Sequence, residues 1–329
     1  MPRGAVIGLG MMGRHHARIL QSSPRMEFAG AVDPGGDRWG VVRDPGLIFT
    51  RLQDMIAAGG VDFAILAVPT EDHLPLAREL AGHGIHVLIE KPLAATADEA
   101  RQIIAACDAA GVHGAVGHVE RFNPALIELR RRVGEGQLGE IFLIATERVG
   151  PFPDRVRDVG VVKDLATHDL DIVRWLGGDV ATIAAQTQHR MGRPHEDMVL
   201  VTGGMASGVS FNCLVDWLSP TKVRRTRVLG ERGMLVADTL TADLTFYANG
   251  DVASEWGATQ ALRGVSEGDM TRYALSRREP LLAEVEAFVD VIEGGASQVV
   301  SLADGLRIVR YAEAVLQSAA SRTTVVVDA

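Results

Sequence analysis

The chain has 329 residues, a formal net charge of −9, 47% hydrophobic residues and 23% charged ones. That length exceeds one compact core and predicts two domains. The acidic balance argues against a nucleic-acid surface or a polybasic membrane patch, while leaving room for a small anionic ligand at local arginines. No segment reaches the roughly 20 apolar residues of a membrane helix. The first strand begins almost at Met1, where a signal peptide would lie. Cys107 and Cys213 fall in apolar runs without metal-binding spacing, so they read as buried thiols in a reducing, cytoplasmic setting.

The first third alternates strand and helix. Ala5-Val6-Ile7 is an apolar run that stops at Gly8, and Met12–Leu20 reads as a helix. Strands follow at Phe28–Val32, at Phe63–Val68 before Pro69, at His86–Ile89 and at Gly114–His118. Helices fall between them at His73–Ala81 and Ala97–Ala109. Near-continuous apolar strands separated by helices predict a parallel sheet covered on both faces, over residues 1–120.

After about Glu120 the pattern changes. Short runs at 141–144, 199–201, 209–211, 227–229 and 244–246 predict a second α/β domain over 121–329 with a largely antiparallel open sheet. Helices are expected at 124–133, 168–176 and 281–292, and a late helix at about 302–320 is free to pack back on the first domain. Gly203–Gly208 and Asn249-Gly250 read as tight turns, Ala258–Ser276 as a surface loop. One sheet face left uncovered in that domain would favour a homodimer or homotetramer.

Gly8-Leu9-Gly10-Met11-Met12-Gly13 follows the first strand and opens the first helix. Glycine permits the sharp turn, the approach of a diphosphate to the backbone, and close packing of helix on strand. The helix N-terminus then offers free N–H groups to the anion. Asp33 closes the second strand, where a carboxylate receives the hydroxyls of an adenosine ribose and repels a ribose phosphate. This is a Rossmann arrangement, and it favours NAD over NADP, although Arg38 nearby weakens the preference.

Glu90-Lys91-Pro92, preceded by Pro69-Thr70 and His73, resembles the signature of the glucose–fructose oxidoreductase/inositol dehydrogenase (Gfo/Idh/MocA) family. Asp164-Leu165-Ala166-Thr167-His168-Asp169-Leu170-Asp171 is similar to that family's D-x-G-x-H-x-x-D pattern, with Ala166 where many members have glycine. The resemblance covers nearly the whole chain, including a terminal strand at Thr323–Val327. It implies NAD contacts from Gly8 to Gly13 and at Asp33, Pro69, Thr70, His73, Glu90 and Lys91. Alone, Lys91 would be a surface lysine and His168 a helix-end cap. Yet Lys91 stands at a strand's C-terminal end, where desolvation and a cationic nicotinamide ring would favour the neutral amine. Asp164 and His168 are i and i+4 on one helix face, and a carboxylate beside an imidazole raises its basicity. With the family pattern, His168 is the expected proton acceptor, Asp164 its orienting or substrate-binding partner, and Lys91 a second acid–base or oxygen stabiliser.

Two further segments, Gly117–Pro124 and Arg148–Pro153 followed by Asp158–Val161, look like those of members that oxidise the 3-hydroxyl of UDP-N-acetylglucosamine. Lys163 departs from that pattern, standing where an apolar residue is expected. The narrower resemblance marks Arg121, Asn123, Arg148, Arg155 and Arg157 as substrate contacts, since a guanidinium fork suits a diphosphate. The alternatives are solvated arginines with a free polyol or monosaccharide as substrate, or a non-catalytic NAD-binding regulator. No metal site is expected: His15 and His16 point apart, and His195-Glu196-Asp197 reads as a loop that approaches the substrate. Arg130–Arg132 and Arg224-Arg225 read as solvated faces.

Overall fold

The computed structural model describes residues 1–153, 159–250, 266–296 and 298–327. Its contacts form two compact units, Met1–Val119 with Glu279–Arg310 and Glu120–Arg278 with Tyr311–Ala329. Residues 279–310, assigned above to the second domain, thus belong with the first.

In the first unit β1 (Arg3–Ile7), α1 (Gly13–Ser22), β2 (Glu27–Val32), β3 (Ile48–Phe49), α2 (Leu52–Ala58), β4 (Phe63–Leu66), α3 (His73–Gly82), β5 (His86–Glu90), α4 (Ala97–Ala110) and β6 (Gly114–Gly117) follow in order. Strands β3-β2-β1-β4-β5-β6 lie side by side and parallel, and the short strand Val300–Ser301 adds an antiparallel edge to β6. Period-2 alternation divides the strand residues between two cores. Ala5, Ile7, Ala64, Leu66, Val87 and Ile89 pack on α2, α3, α4 and the start of the helix Leu302–Ser321. Val6, Phe63, Ile65 and Leu88 pack on α1 and the helix Pro280–Ile292, where Phe288 meets Phe63 edge-on at 6.0 Å. Burying each such side chain contributes about 1.5–3 kcal/mol. Helix α4 starts on a reciprocal cap between Thr96 and Glu99 and ends at Gly111 in a left-handed conformation. The strand order reverses at β1, and ligands of open parallel sheets bind in the crevice beyond the strand ends at such a point.

The second unit holds α5 (Pro124–Gly134), β7 (Ile141–Pro151), α6 (Thr167–Gly177), β8 (Val180–Gln188), β9 (Met198–Met205), β10 (Ser210–Asp216), β11 (Leu218–Gly230), β12 (Gly233–Asp238), β13 (Asp243–Gly250) and β14 (Ser266–Tyr273). Their order is β14-β13-β12-β11-β7-β10-β9-β8, with Val325–Val326 on the last edge. Every pairing is antiparallel except β7 with β10.

Three turn and loop expectations give way here. Gly203 and Gly204 lie within β9, and the turn is confined to 206–208. A Cβ on Gly203 would strike the Phe211 ring on the neighbouring strand, so this glycine serves close strand packing. Asn249 and Gly250 pair with Glu267 and Ser266 instead of turning, and 266–273 is a strand. Residues 258–265 of the expected loop lie outside the described residues.

Helix α6 packs on β7 and β10, and α5 on β12 and β13. Among the described residues no helix is long and apolar enough to cross a membrane.

Candidate functional site

In the first unit, the Asp33 carboxylate accepts from Leu9 N at 2.8 Å and from Gly35 N at 2.7 Å. It therefore braces the glycine turn, yet an ionised carboxylate has about four acceptor positions and keeps capacity for ribose hydroxyls. Gly8 has φ +91°, and a Cβ there would lie 2.6 Å from the Ala67 carbonyl oxygen. A Cβ on Gly13 would overlap the Gly8 carbonyl, whereas one on Gly10 meets nothing within 4 Å. Gly8 and Gly13 are thus explained by the fold, whereas the fold leaves open space at Gly10.

The first turn of α1 carries no acidic residue and no side-chain cap. Its N–H groups and positive end suit a diphosphate, so the residues present fit a dinucleotide. A cleft of about 550 Å³ includes Gly8, Gly10, Asp33 and Pro69 in its lining, together with Arg51, which the sequence reading missed. Arg51, and Arg38 folded against Gly35, are two cations near Asp33. Met11, Met12, Thr70, His73, Glu90 and Lys91 do not line this cleft.

Lys91 is half-buried and follows β5 directly. The expected contacts His73 and Glu90 are engaged in the protein. His73 is 1% exposed, with Nδ1 3.1 Å from Pro92 O and 3.2 Å from Leu93 O, and Nε2 3.2 Å from Val68 O. Burial pulls its pKa below the ordinary value, despite those carbonyls. Glu90 faces His16 at 2.8 Å. Burial pushes the Glu90 carboxyl upward, but the hydrogen bond and charge of His16 and the charge of Lys91 hold it below the usual carboxylate range.

In the second unit, Asp164 lies in a π-helical turn, Val162–Ala166, that runs into α6, and His168 lies in the first turn of α6. Such π turns recur where a helix presents functional side chains. Asp164 is 9% exposed and His168 half-buried. Glu196 caps this run: its Oε1 accepts from Val162 N at 3.0 Å, and its backbone oxygen accepts from Val161 N at 3.0 Å. A carboxylate at a helix start is favourable, so within the loop His195-Glu196-Asp197 the Glu196 side chain braces this run.

Two of the arginines expected to contact substrate, Arg121 and Arg148, are engaged within the protein. Arg121 donates a two-pronged fork to Asp171 at 2.8 and 2.6 Å. Arg148 donates to Asp169 at 2.6 Å and Glu120 at 2.8 Å. Both arginines are under 9% exposed, and each is tied to a carboxylate of the helix that carries His168, Arg148 to Glu120 as well. Burial weakens the Arg148 charge, but Asp169 and Glu120 more than offset this and push its pKa up. Asn123 is likewise a helix cap, with Oδ1 accepting from Ala125 N and Nδ2 donating to Thr239 O. Arg155 and Arg157 lie outside the described residues.

The basic runs are solvated at Arg130, Arg131 and Arg225, as expected, and partly buried at Arg132 and Arg224. Arg130 lies over the Trp175 ring and Arg132 over Tyr273, and Arg224 donates to Val149 O. Among the described residues, no group of three or more His, Cys, Asp or Glu could hold a metal.

A model of the GFO/IDH/MocA oxidoreductase family, NAD-binding Rossmann fold, matches residues 3–118, and one of that family's C-terminal alpha/beta domain matches residues 130–327. Identity is 31% over 185 residues to the rhizopine catabolism protein MocA of Rhizobium meliloti, spanning 55% of this chain and 58% of that protein. It is 28% over 298 residues to the UDP-N-acetylglucosamine 3-dehydrogenase of Acidithiobacillus ferrooxidans, spanning 88% of each. A solved structure of that enzyme superposes with TM-score 0.82 at 26% identity, covering 97% of this chain and 98% of that one. An inositol 2-dehydrogenase of Rhizobium meliloti is 25% identical, with 97% of each chain covered.

Proposed function

Because this chain belongs to the GFO/IDH/MocA oxidoreductase family, it is an NAD(P)-dependent dehydrogenase acting on CH–OH groups, and we propose that it oxidises one ring hydroxyl of a sugar with NAD. The best-supported substrate class is a UDP-N-acetylhexosamine reacting at its 3-hydroxyl, on the strength of the relative matched over 88% of both chains. Asp33 at the ribose position supports NAD over NADP.

The observation that carries the catalytic reading is a carboxylate and an imidazole four residues apart on one braced helical run. Asp164 and His168 share one helical run, capped by Glu196 and locked by Arg121–Asp171 and Arg148–Asp169. A general base must be fixed within hydrogen-bond reach of the hydroxyl whose proton it takes. In this reading His168 takes that proton, Asp164 holds the imidazole or a substrate hydroxyl, and Lys91 stabilises the developing alkoxide or shares the proton. Bound NAD would supply the hydride acceptor.

One observation favours a free polyol or monosaccharide instead. Arg121 and Arg148, the expected diphosphate donors, are neutralised by buried carboxylates. A thermal-shift screen of nucleotide sugars against free polyols with NADH present, followed by NADH formation from NAD, decides between them. Melting shifts with NAD but no turnover on any sugar would refute the dehydrogenase assignment.

The open face of the second unit supports a homodimer or homotetramer. Leu229, Tyr247 and Met270 are aligned across β11, β13 and β14 and are 39%, 41% and 66% exposed. Light scattering that gives a clean monomer would reject this. The buried free thiols of Cys107 and Cys213 suit a cytoplasmic location.

A further inference from the structure

His16 lies in the first turn of α1, three residues past Gly13, and Glu90 ends β5 immediately before Lys91. They are 1% and 8% exposed, and Nε2 of His16 is 2.8 Å from Oε1 of Glu90. Burying an imidazole and a carboxylate costs several kcal/mol that only good pairing offsets, whereas two apolar side chains would fill the space without that cost. Packing alone therefore does not account for the pair. Gly117 of β6 lies against Glu90, where a Cβ would stand 3.4 Å from the carboxylate. From the other side His73 of α3 reaches the carbonyls of Pro92 and Leu93. The turn that carries Lys91 is thus held before the lysine from α1 and after it from α3.

We propose that His16 and His73 are positioning residues for Lys91: the buried His16–Glu90 pair fixes an anion beside the amine and ties its turn to the helix that receives the dinucleotide, while His73 fixes the far side of that turn. The proposal rests on the reading of Lys91 as an acid–base group. The charged and titratable neighbours of Glu90 are His16 from α1, His73 from α3 and Lys91 in its own turn.

The chain has three lysines, Lys91, Lys163 and Lys222, which allows a test without turnover. Acylation of each lysine by an amine-reactive anhydride is followed against pH by peptide mass spectrometry, in the full-length protein and in variants whose melting shows them folded. Glu90→Gln should raise the acylation rate of Lys91 several-fold by releasing its turn from His16 of α1. His16→Leu should raise it by less, and His16→Gln, which can still donate to Glu90, should restore the wild-type rate. His73→Leu should raise the maximal acylation rate of Lys91 by freeing its turn. Lys163 and Lys222 serve as unchanged controls. Identical Lys91 curves in the folded variants would overturn the proposal, and should Glu90→Gln not fold, the two His16 variants alone give the answer. Lys91→Met separately tests the acid–base reading: full turnover in that variant would sink the role of Lys91, and the acylation curves would be unaffected.

Discussion

Substituting alanine for each glycine of the dinucleotide turn should separate folding from binding. Gly8→Ala places a side chain at φ +91° and 2.6 Å from a carbonyl oxygen. The left-handed conformation costs about 1–2 kcal/mol and overpacking about 1–3 kcal/mol more. The apo protein should lose about 2–5 kcal/mol of stability, and Gly13→Ala, whose Cβ meets the Gly8 carbonyl, should be at least as damaging. Gly10 is exposed, lacks a positive φ and has no atom within 4 Å of a Cβ. Gly10→Ala should therefore fold as well as wild type, or better by about 0.4–1 kcal/mol through the unfolded chain's lost freedom. Its methyl would nevertheless occupy the space assigned to the diphosphate, weakening NADH binding by about 1–3 kcal/mol, roughly fivefold to 150-fold in Kd. Urea unfolding of the apo protein and calorimetric NADH titration measure the two effects. Wild-type NADH affinity in Gly10→Ala, or a stability loss like that of Gly8→Ala, would refute the reasoning.

Four other outcomes are expected. His168→Ala should abolish turnover while NADH affinity stays within a few-fold, and equal loss of both would undo its assignment as the base. Asp33→Ala should weaken NAD binding and raise the NADP-to-NAD ratio of kcat/KM, besides costing about 1–2 kcal/mol for two unpaired N–H groups. Asp171→Asn leaves the Arg121 guanidinium buried without its counter-charge and should cost about 3–5 kcal/mol in urea unfolding; a change near zero would contradict the buried fork. The native His73 resists protonation through burial, whereas the unfolded chain takes up its proton near the ordinary value of 6.5. Stability should fall as pH drops below that value, and His73→Gln should flatten that part of the stability–pH curve.

The first unit was readable because its strands are buried on both faces and appear as unbroken apolar runs, as at Phe63–Leu66 and Val87–Ile89. The second sheet has one open face, so its strands carry charges and glycines that resemble turns. Gly203 and Asn249-Gly250 misled for that reason. Arginines 121 and 148 showed charge but not partner: their carboxylates lie 50 and 21 residues away. The role of His16 depends on Glu90, 74 residues on, and no local spacing signals it. Glu196 was noticed only as part of a polar triplet, because the N–H it accepts lies 34 residues back.

The most direct test of the catalytic assignment is a crystal structure with NADH and the sugar found by the screen. The account predicts the His168 imidazole within about 2.6–3.2 Å of the substrate hydroxyl oxygen that loses its proton. If the imidazole contacted no reacting hydroxyl, or stood away from the sugar, that assignment would be contradicted.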